Sequence, residues 1–114
     1  MQINKTTFNT ELQLTFQELE LLSKSKNSLQ EYLQDWKKTN IEEFIEFFNE
    51  NLTLPIPDNK IELISYGIEV VANQGDLLRL KTALRINSTD DCFVCNYYAF
   101  FDLEGQLLDN YIDR

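Results

Sequence analysis

The spacing of the apolar residues changes once along this chain, near residue 60, and this change constrains the fold more than any other feature. Before it, apolar residues recur every three or four positions, as on one side of an amphipathic helix. After it, long runs rich in β-branched and aromatic residues alternate with polar ones, as in strands. Helical patterns followed by strand patterns favour an α+β fold over an alternating α/β fold.

Three helices are predicted in the first half, residues 1–60. The first covers residues 8–24 and has an apolar side made by Phe8, Leu12, Phe16, Leu19 and Leu22. The residues Leu12, Leu14 and Phe16 also alternate, so a short strand is the alternative there. The second helix begins at Ser28, because Ser28-x-x-Glu31 has the form of a capping box, and it ends at Lys37-Lys38.

A second capping box, Thr39-x-x-Glu42, predicts the start of the third helix. Its apolar side is formed by Ile41, Phe44, Ile45 and Phe48. The short run Leu52–Leu54 is predicted to be a strand that ends before Pro55.

The second half, residues 61–114, predicts four strands joined by turns. They cover Ile61–Ala72, a run around Leu78–Ile86, Cys92–Asp102 and Leu107–Ile112. The expected fold is a single α+β domain with N-terminal helices on one face of a four-stranded antiparallel sheet. The predicted core contains Trp36, Phe44, Phe48, Leu80, Leu84 and Phe100.

The charge composition narrows the function classes. The 114 residues contain 19 acidic and 10 basic side chains, a net charge of −9, and no histidine. Nucleic acids and anionic membranes are therefore not expected partners, because both attract clustered Lys and Arg. The absence of histidine, the side chain that titrates near neutral pH, favours binding over catalysis. No secretory signal and no apolar run of about 20 residues is seen, so a cytoplasmic location is expected.

The sequence Cys92-Phe93-Val94-Cys95 has the spacing of a redox motif or half of a zinc site. No second ligand pair accompanies it, and it lies in an aromatic run that reads as a strand. Residues three apart in a strand point to opposite faces. We therefore expect two free, buried thiols and neither a metal nor a cofactor.

Two segments resemble the nuclear transport factor 2-like (SnoaL-like) superfamily. In residues 29–54, its opening pattern is matched by Tyr32, Leu33, Trp36, Asn40, Phe44 and Phe48. In residues 97–113, its closing hairpin is matched by Asp102, Gly105, Leu107, Tyr111 and Asp113.

The resemblance implies that the helices and a curved sheet form a cone that encloses a pocket. In the superfamily's enzymes, an Asp in this pocket, often with a His or Tyr, moves a proton. The candidate lining residues here are Tyr32, Trp36, Tyr66, Tyr97, Tyr98 and Asp102. Asp35 and Asp102 are the acids that could serve as a base. Structural roles are favoured for all of them, with Asp102 as a turn residue and the tyrosines in the core.

Three functions are consistent with these observations. The first is an immunity or inhibitor protein that neutralises a basic partner such as a bacterial toxin, since carboxylates steer basic proteins. Its candidate binding residues are Glu42, Glu43, Glu46 and Glu50, although such a run is usually only the solvated side of a helix. The second is a SnoaL-like pocket protein that binds or isomerises a small apolar molecule. The third is a homodimer through the sheet face that carries Arg79, Lys81 and Arg85.

Overall fold

The chain folds as three helices followed by a four-stranded sheet, and a computed structural model describes residues 5–49, 52–75 and 77–114. The elements are α1 (Lys5–Glu18), α2 (Leu21–Thr39), α3 (Ile41–Phe48), β1 (Ile61–Val71), β2 (Leu77–Asn87), β3 (Phe93–Phe101) and β4 (Leu107–Asp113). The sheet is an open antiparallel meander in the order β1-β2-β3-β4. The helices lie on one face of it, so the predicted α+β fold is confirmed.

The break between the first two helices lies at Leu19-Glu20, whereas the sequence predicts it at residues 24–27. Glu20 has a left-handed backbone with φ 54°, and α2 then continues through Ser28 without interruption. The capping box at Ser28 is therefore wrong. Ser28 is buried inside α2, where its Oγ donates to the Ser25 carbonyl at 3.0 Å. Tertiary contacts with the sheet use this serine, and they override its local capping tendency.

The helix α3 begins one residue later than its predicted capping box. Asn40 caps it, accepting a hydrogen bond from the Glu43 backbone N–H at 3.1 Å. Thr39 instead closes α2, and its Oγ1 donates to the Asp35 carbonyl at 2.8 Å. Asn40 Nδ2 also donates to Glu43 Oε2 at 3.4 Å, but the Asn40 backbone N–H donates to the Trp36 carbonyl at 2.8 Å, so the reciprocal half of a capping box is not formed.

The buried side of α3 is narrower than predicted. Phe44 and Phe48 are buried, but Ile41 and Ile45 are 51% and 46% exposed. The helix has only eight residues, and its inner side is fixed by aromatic packing against α2. The Trp36 ring centroid lies 5.7 Å from that of Phe44 and 5.4 Å from that of Phe48. The isoleucines are turned away from this cluster.

The segment after α3 is irregular, so the predicted strand at Leu52–Leu54 is wrong. The side-chain amide of Gln30 in α2 binds the backbone of this segment at Ile56. Its Nε2 donates to the Ile56 carbonyl at 2.8 Å, and its Oε1 accepts from the Ile56 N–H at 3.0 Å. A side chain thereby satisfies backbone groups that a neighbouring strand would otherwise satisfy.

The core lies between α2 and the two central strands. Leu80, Thr82, Leu84 and Ile86 of β2 face it, each opposite a buried residue of β3. The predictions for Phe44, Phe48, Leu80 and Leu84 are confirmed. Trp36 is only half-buried, because it lies at the end of the core where α2 meets α3.

None of the described helices lies on the opposite face of the sheet, which we call the helix-free face, yet part of this face is buried. Phe100 lies on this face, paired with Lys81, so it is buried as predicted but outside the helix-side core. The Arg79 guanidinium carbon lies 3.9 Å from the Phe100 ring centroid, and Lys81 Nζ lies 4.9 Å from that of Tyr98. Arg85 stacks on Phe93. A dimer through these cations stays a prediction.

The two cysteines are free, as expected, but only one of them is buried. Cys95 lies in β3 and faces the core with 0% exposure. Cys92 precedes the strand and is exposed, so the expectation of two buried thiols is wrong. The turn Ser88–Asp91 extends to Cys92, whose N–H donates to Ser88 Oγ, and β3 starts only at Phe93.

Candidate functional site

A groove of about 780 Å³ lies where α2, α3 and β4 meet, and we call it the acidic groove. From α2 it is lined by Ser28, Glu31, Tyr32, Asp35, Trp36 and Thr39. From α3 and β4 it is lined by Glu43, Phe47, Leu107 and Asn110. Within the described part of the chain, this lining contains three carboxylates and no lysine or arginine. Its volume is in the range of small-molecule sites, about 300–1,000 Å³.

Helical spacing explains why these side chains converge. Residues four apart lie one above the other on the same side of a helix. Glu31 and Asp35 form one such row on α2, and Tyr32 and Trp36 form the row beside it. On α3, Glu43 precedes Phe47 by the same spacing. Each helix therefore presents carboxylates next to aromatic rings along one wall of the groove.

The aromatic rings are in contact with one another. The Trp36 and Phe47 ring centroids are 5.1 Å apart, and those of Tyr32 and Trp36 are 6.3 Å apart in an edge-on arrangement. The Trp36 indole Nε1 is buried and makes no hydrogen bond. It is the single such side-chain atom among the described residues that are not exposed. Such groups are rare in folded proteins.

The acids impose a negative potential on the tyrosine at the groove wall. Burial raises the pKa of the Tyr32 hydroxyl, and the charges of Asp109 and Glu43 raise it further. A phenol resists ionisation when its neighbours are already negative. The same field attracts a cation.

Tyr97 lies beneath the groove and is completely buried. Asn110 Nδ2 donates to its hydroxyl oxygen at 2.9 Å. Since the Ser28 hydroxyl already donates to Ser25, the Tyr97 hydroxyl donates to Ser28 Oγ at 2.7 Å. Burial raises the pKa of Tyr97, although the hydrogen bond that its hydroxyl accepts from Asn110 opposes the shift. The hydroxyl is a structural link between α2, β3 and β4 and holds its proton firmly.

The structure separates the remaining pocket candidates from this group. Tyr66 stacks on Phe16 at 4.3 Å, at the α1 end of the molecule. Tyr98 lies on the helix-free face and stacks on Tyr111 at 4.8 Å. The structure therefore does not bring Tyr32, Trp36, Tyr66, Tyr97, Tyr98 and Asp102 together around the acidic groove. Only Tyr32 and Trp36 line the groove, because alternation along the strands sends Tyr97 and Tyr98 to opposite faces.

Asp102 is a turn residue, as its structural interpretation predicts. Its Oδ1 accepts from the backbone N–H groups of Glu104 and Gln106, both at 2.9 Å. The carboxylate is thus committed to the β3–β4 turn and lies outside the groove lining.

The four glutamates predicted on α3 fall into different places. Glu42, Glu43 and Glu46 are exposed, and only Glu43 lines the acidic groove. Glu46 borders a neighbouring depression together with Glu43, Phe47 and Arg114. Glu50 lies outside the described residues, as does the side chain of Phe8. Sequence reasoning missed Glu31 and Phe47, which the four-residue spacing from Asp35 and Glu43 could have revealed.

Neither a cluster of metal-ligating side chains nor a membrane-spanning helix is found in the part of the chain that the structure describes. No three His, Cys, Asp or Glu side chains there are grouped to hold a metal ion. No helix among the same residues has the length and apolar character needed to cross a bilayer.

The comparisons with known proteins provide no relative. No family model matches the sequence, and no curated protein or solved structure matches it either. The resemblance to the nuclear transport factor 2-like superfamily therefore stays a prediction, and functional inference depends on the geometry and charge of the acidic groove.

Proposed function

We propose that this chain is a non-catalytic binding protein that holds a basic partner protein in the acidic groove, as an immunity or inhibitor protein holds a toxin. The observation that carries the proposal is the composition of the groove lining. Glu31, Asp35 and Glu43 stand beside Tyr32 and Trp36 with no cation among them. Aromatic rings and carboxylates are the two groups that attract a positively charged side chain.

The whole chain supports the same interpretation through its net charge of −9. A surface of one sign accelerates the encounter with a partner of opposite sign. Because screening shortens the Debye length from about 10 Å at 0.1 M to about 3 Å at 1 M salt, this steering weakens as salt is added. Association with the partner should therefore slow as ionic strength rises, while dissociation changes less.

The test is capture of a partner by matched variants in the cell of origin. The wild-type chain and Glu42→Gln should retain the same basic protein, since Glu42 lies outside the groove lining. The double variant Glu31→Gln, Glu43→Gln should lose it. The captured protein is then purified, and its association rate is measured between low and high salt. A partner retained equally by all three forms would contradict the role of the acidic groove.

The alternative is a pocket protein for a small apolar molecule, and the rings of Tyr32, Trp36 and Phe47 are the observation that favours it. The two functions differ in their response to charge removal. Binding of an apolar molecule should be unchanged, or strengthened, in the Glu31→Gln, Glu43→Gln variant. An apolar ligand retained through purification, with no basic protein captured, would establish this alternative.

A further inference from the structure

The acidic groove has a shape and a set of acceptors that distinguish between the two cations of a basic protein. We propose that it receives the guanidinium group of an arginine side chain of the partner rather than the ammonium group of a lysine. The inference rests on the proposed function, because it names the chemical group by which the basic partner is held.

The walls of the groove match a flat cation. Tyr32, Trp36 and Phe47 all line the groove, and the Trp36 and Phe47 ring centroids are 5.1 Å apart, so the rings form one aromatic surface on which a flat cation can stack. A guanidinium group is planar, weakly hydrated and stacks on aromatic faces, whereas an ammonium is compact and strongly hydrated. Stripping water from the guanidinium is therefore less costly in a groove with aromatic walls.

The rim supplies acceptors on more than one side. Glu31 and Asp35 lie along α2, and Glu43 approaches from α3. A guanidinium carries five N–H donors in a fixed fork and can engage a carboxylate with two of them at once. An ammonium offers three donors from a single point and cannot bridge acids on two helices as effectively.

The same α3 surface already holds a guanidinium of this chain. The Arg114 guanidinium carbon lies 3.9 Å from the Phe47 ring centroid, in the depression bordered by Glu43 and Glu46. Among the described residues, the nearest approach of a lysine to an aromatic ring of α3 is longer: Lys37 Nζ of α2 lies 5.9 Å from the ring centroid of Phe44. Phe47 and Glu43 line both the depression and the acidic groove, so the chemistry that accepts Arg114 continues into the groove.

Trp36 provides a direct readout, since it is the single tryptophan of the chain and lines the groove. The probes are three N-acetylated amino-acid amides, those of arginine, lysine and citrulline. Citrulline has nearly the shape of arginine but no charge. Each is titrated into the full chain while the fluorescence of Trp36 and its one indole N–H resonance are followed.

The arginine probe should bind with a dissociation constant on the order of 1 mM, as expected for a fragment of this size. The lysine and citrulline probes should bind about tenfold more weakly or not at all, since they lack the fork or the charge. The Glu43→Gln variant should weaken the arginine probe about tenfold, and Glu42→Gln should leave it unchanged. Circular-dichroism spectra that match the wild-type spectrum verify that both variants are folded.

Three outcomes would overturn the inference. If the lysine probe binds as tightly as the arginine probe, the groove selects charge alone, and the proposed function survives without the specificity for arginine. If no cationic probe binds but a basic protein is still captured through the groove, the guanidinium assignment is wrong while the partner assignment stands. If neither a probe nor a basic protein binds, both proposals fail.

Discussion

Cys92 and Cys95 are three positions apart and have opposite chemical environments. Burial raises the pKa of the Cys95 thiol to about 12, although the nearby Arg114 opposes the shift. A thiol must ionise to react, so Cys95 is almost entirely protonated and inert at pH 8. Cys92 is exposed and remains accessible to reagents.

We therefore expect one fast-reacting thiol in the native protein. A disulfide reagent at pH 8 should modify Cys92 within the mixing period and Cys95 only after denaturant is added. The Cys92→Ser variant should show no fast reaction. Two equivalent fast thiols in the wild-type chain would contradict the buried position of Cys95.

Gly105 is a second residue whose role is local and testable. It has a left-handed backbone, φ 87°, in the β3–β4 turn. An added Cβ would lie 2.7 Å from Lys24 Nζ and 3.3 Å from Leu19 Cβ. Lys24 also donates to the Gly105 carbonyl at 3.1 Å, so the clash would disturb a contact that joins α2 to the sheet.

Gly105→Ala should lower the free energy of unfolding by at least about 1–2 kcal/mol, the cost of a left-handed conformation for an L-residue. Urea denaturation measures this directly. Gly67→Ala is the matched control, because no atom lies within 4 Å of its added Cβ and its φ is not left-handed. Equal losses from both substitutions would show that steric strain at Gly105 is not the cause.

At the scale of the elements, two buried hydroxyl pairs join α2 to the sheet, Ser25 with Thr82 and Ser28 with Tyr97. Ser25 Oγ donates to the Leu21 carbonyl at 2.6 Å, so the Thr82 hydroxyl of β2 must donate to Ser25 Oγ at 2.7 Å. All of these atoms are buried in an otherwise apolar core. A buried polar group that loses its partner is costly, whereas removing both partners can be nearly neutral.

This asymmetry predicts the result of a double-mutant cycle. Ser25→Ala should cost about 1–3 kcal/mol, since it leaves the Thr82 hydroxyl without an acceptor. Thr82→Val should cost less than about 1 kcal/mol, because Ser25 keeps its bond to Leu21. The double variant should recover most of the loss. Additive losses, measured by denaturant unfolding, would show that the two hydroxyls do not interact.

These same serines explain how far the sequence could predict the helices. Periodicity identified the helical half, the strands and the inward residues of β2, because the spacing of apolar residues follows from which side of each element is buried. Periodicity misplaced the start of α2, because Ser28 matches a local capping signal. Nothing in the local sequence reveals that the Ser28 hydroxyl is hydrogen-bonded to Tyr97, 69 positions away. The break at Glu20 has no glycine or proline to mark it.

The site was predicted in part for the same reason. Tyr32 and Trp36 share a row on one helix, so their convergence follows from spacing alone. The approach of Asn110 from β4 depends on how the last strand pairs with β3, which is a long-range property. Among the acids of α3, Glu42 and Glu46 share one side of the helix because they are four residues apart, whereas Glu43 lies on a different side and alone lines the groove.

At the scale of the whole molecule, the charges are arranged unevenly. Among the described residues, the ion pairs are Lys26–Asp58, Lys60–Asp91 and Glu69–Arg79, and none of them includes a groove carboxylate. The cations of the helix-free face lie over aromatic rings within their own sheet. Glu31, Asp35 and Glu43 therefore take part in none of these ion pairs, and Arg114 is the cation that shares a depression with one of them, Glu43.

Two groove acids of α2 repel each other in the free protein. Glu31 and Asp35 are like charges four residues apart on α2, a spacing that destabilises a helix by about 0.2–0.5 kcal/mol. Glu31→Gln should therefore stabilise the free protein by about that amount in low-salt denaturant melts, with the gain shrinking as salt screens the repulsion.

Glu42→Gln should have the opposite sign, since a negative charge in the first turn of α3 is favourable. A partner bound in the acidic groove would reverse the ranking, because it stabilises the wild-type chain more than Glu31→Gln. A variant more stable alone and less stable in the complex is the signature of a residue retained for binding. Glu31→Gln that destabilises the free chain would show that the groove acids are structural.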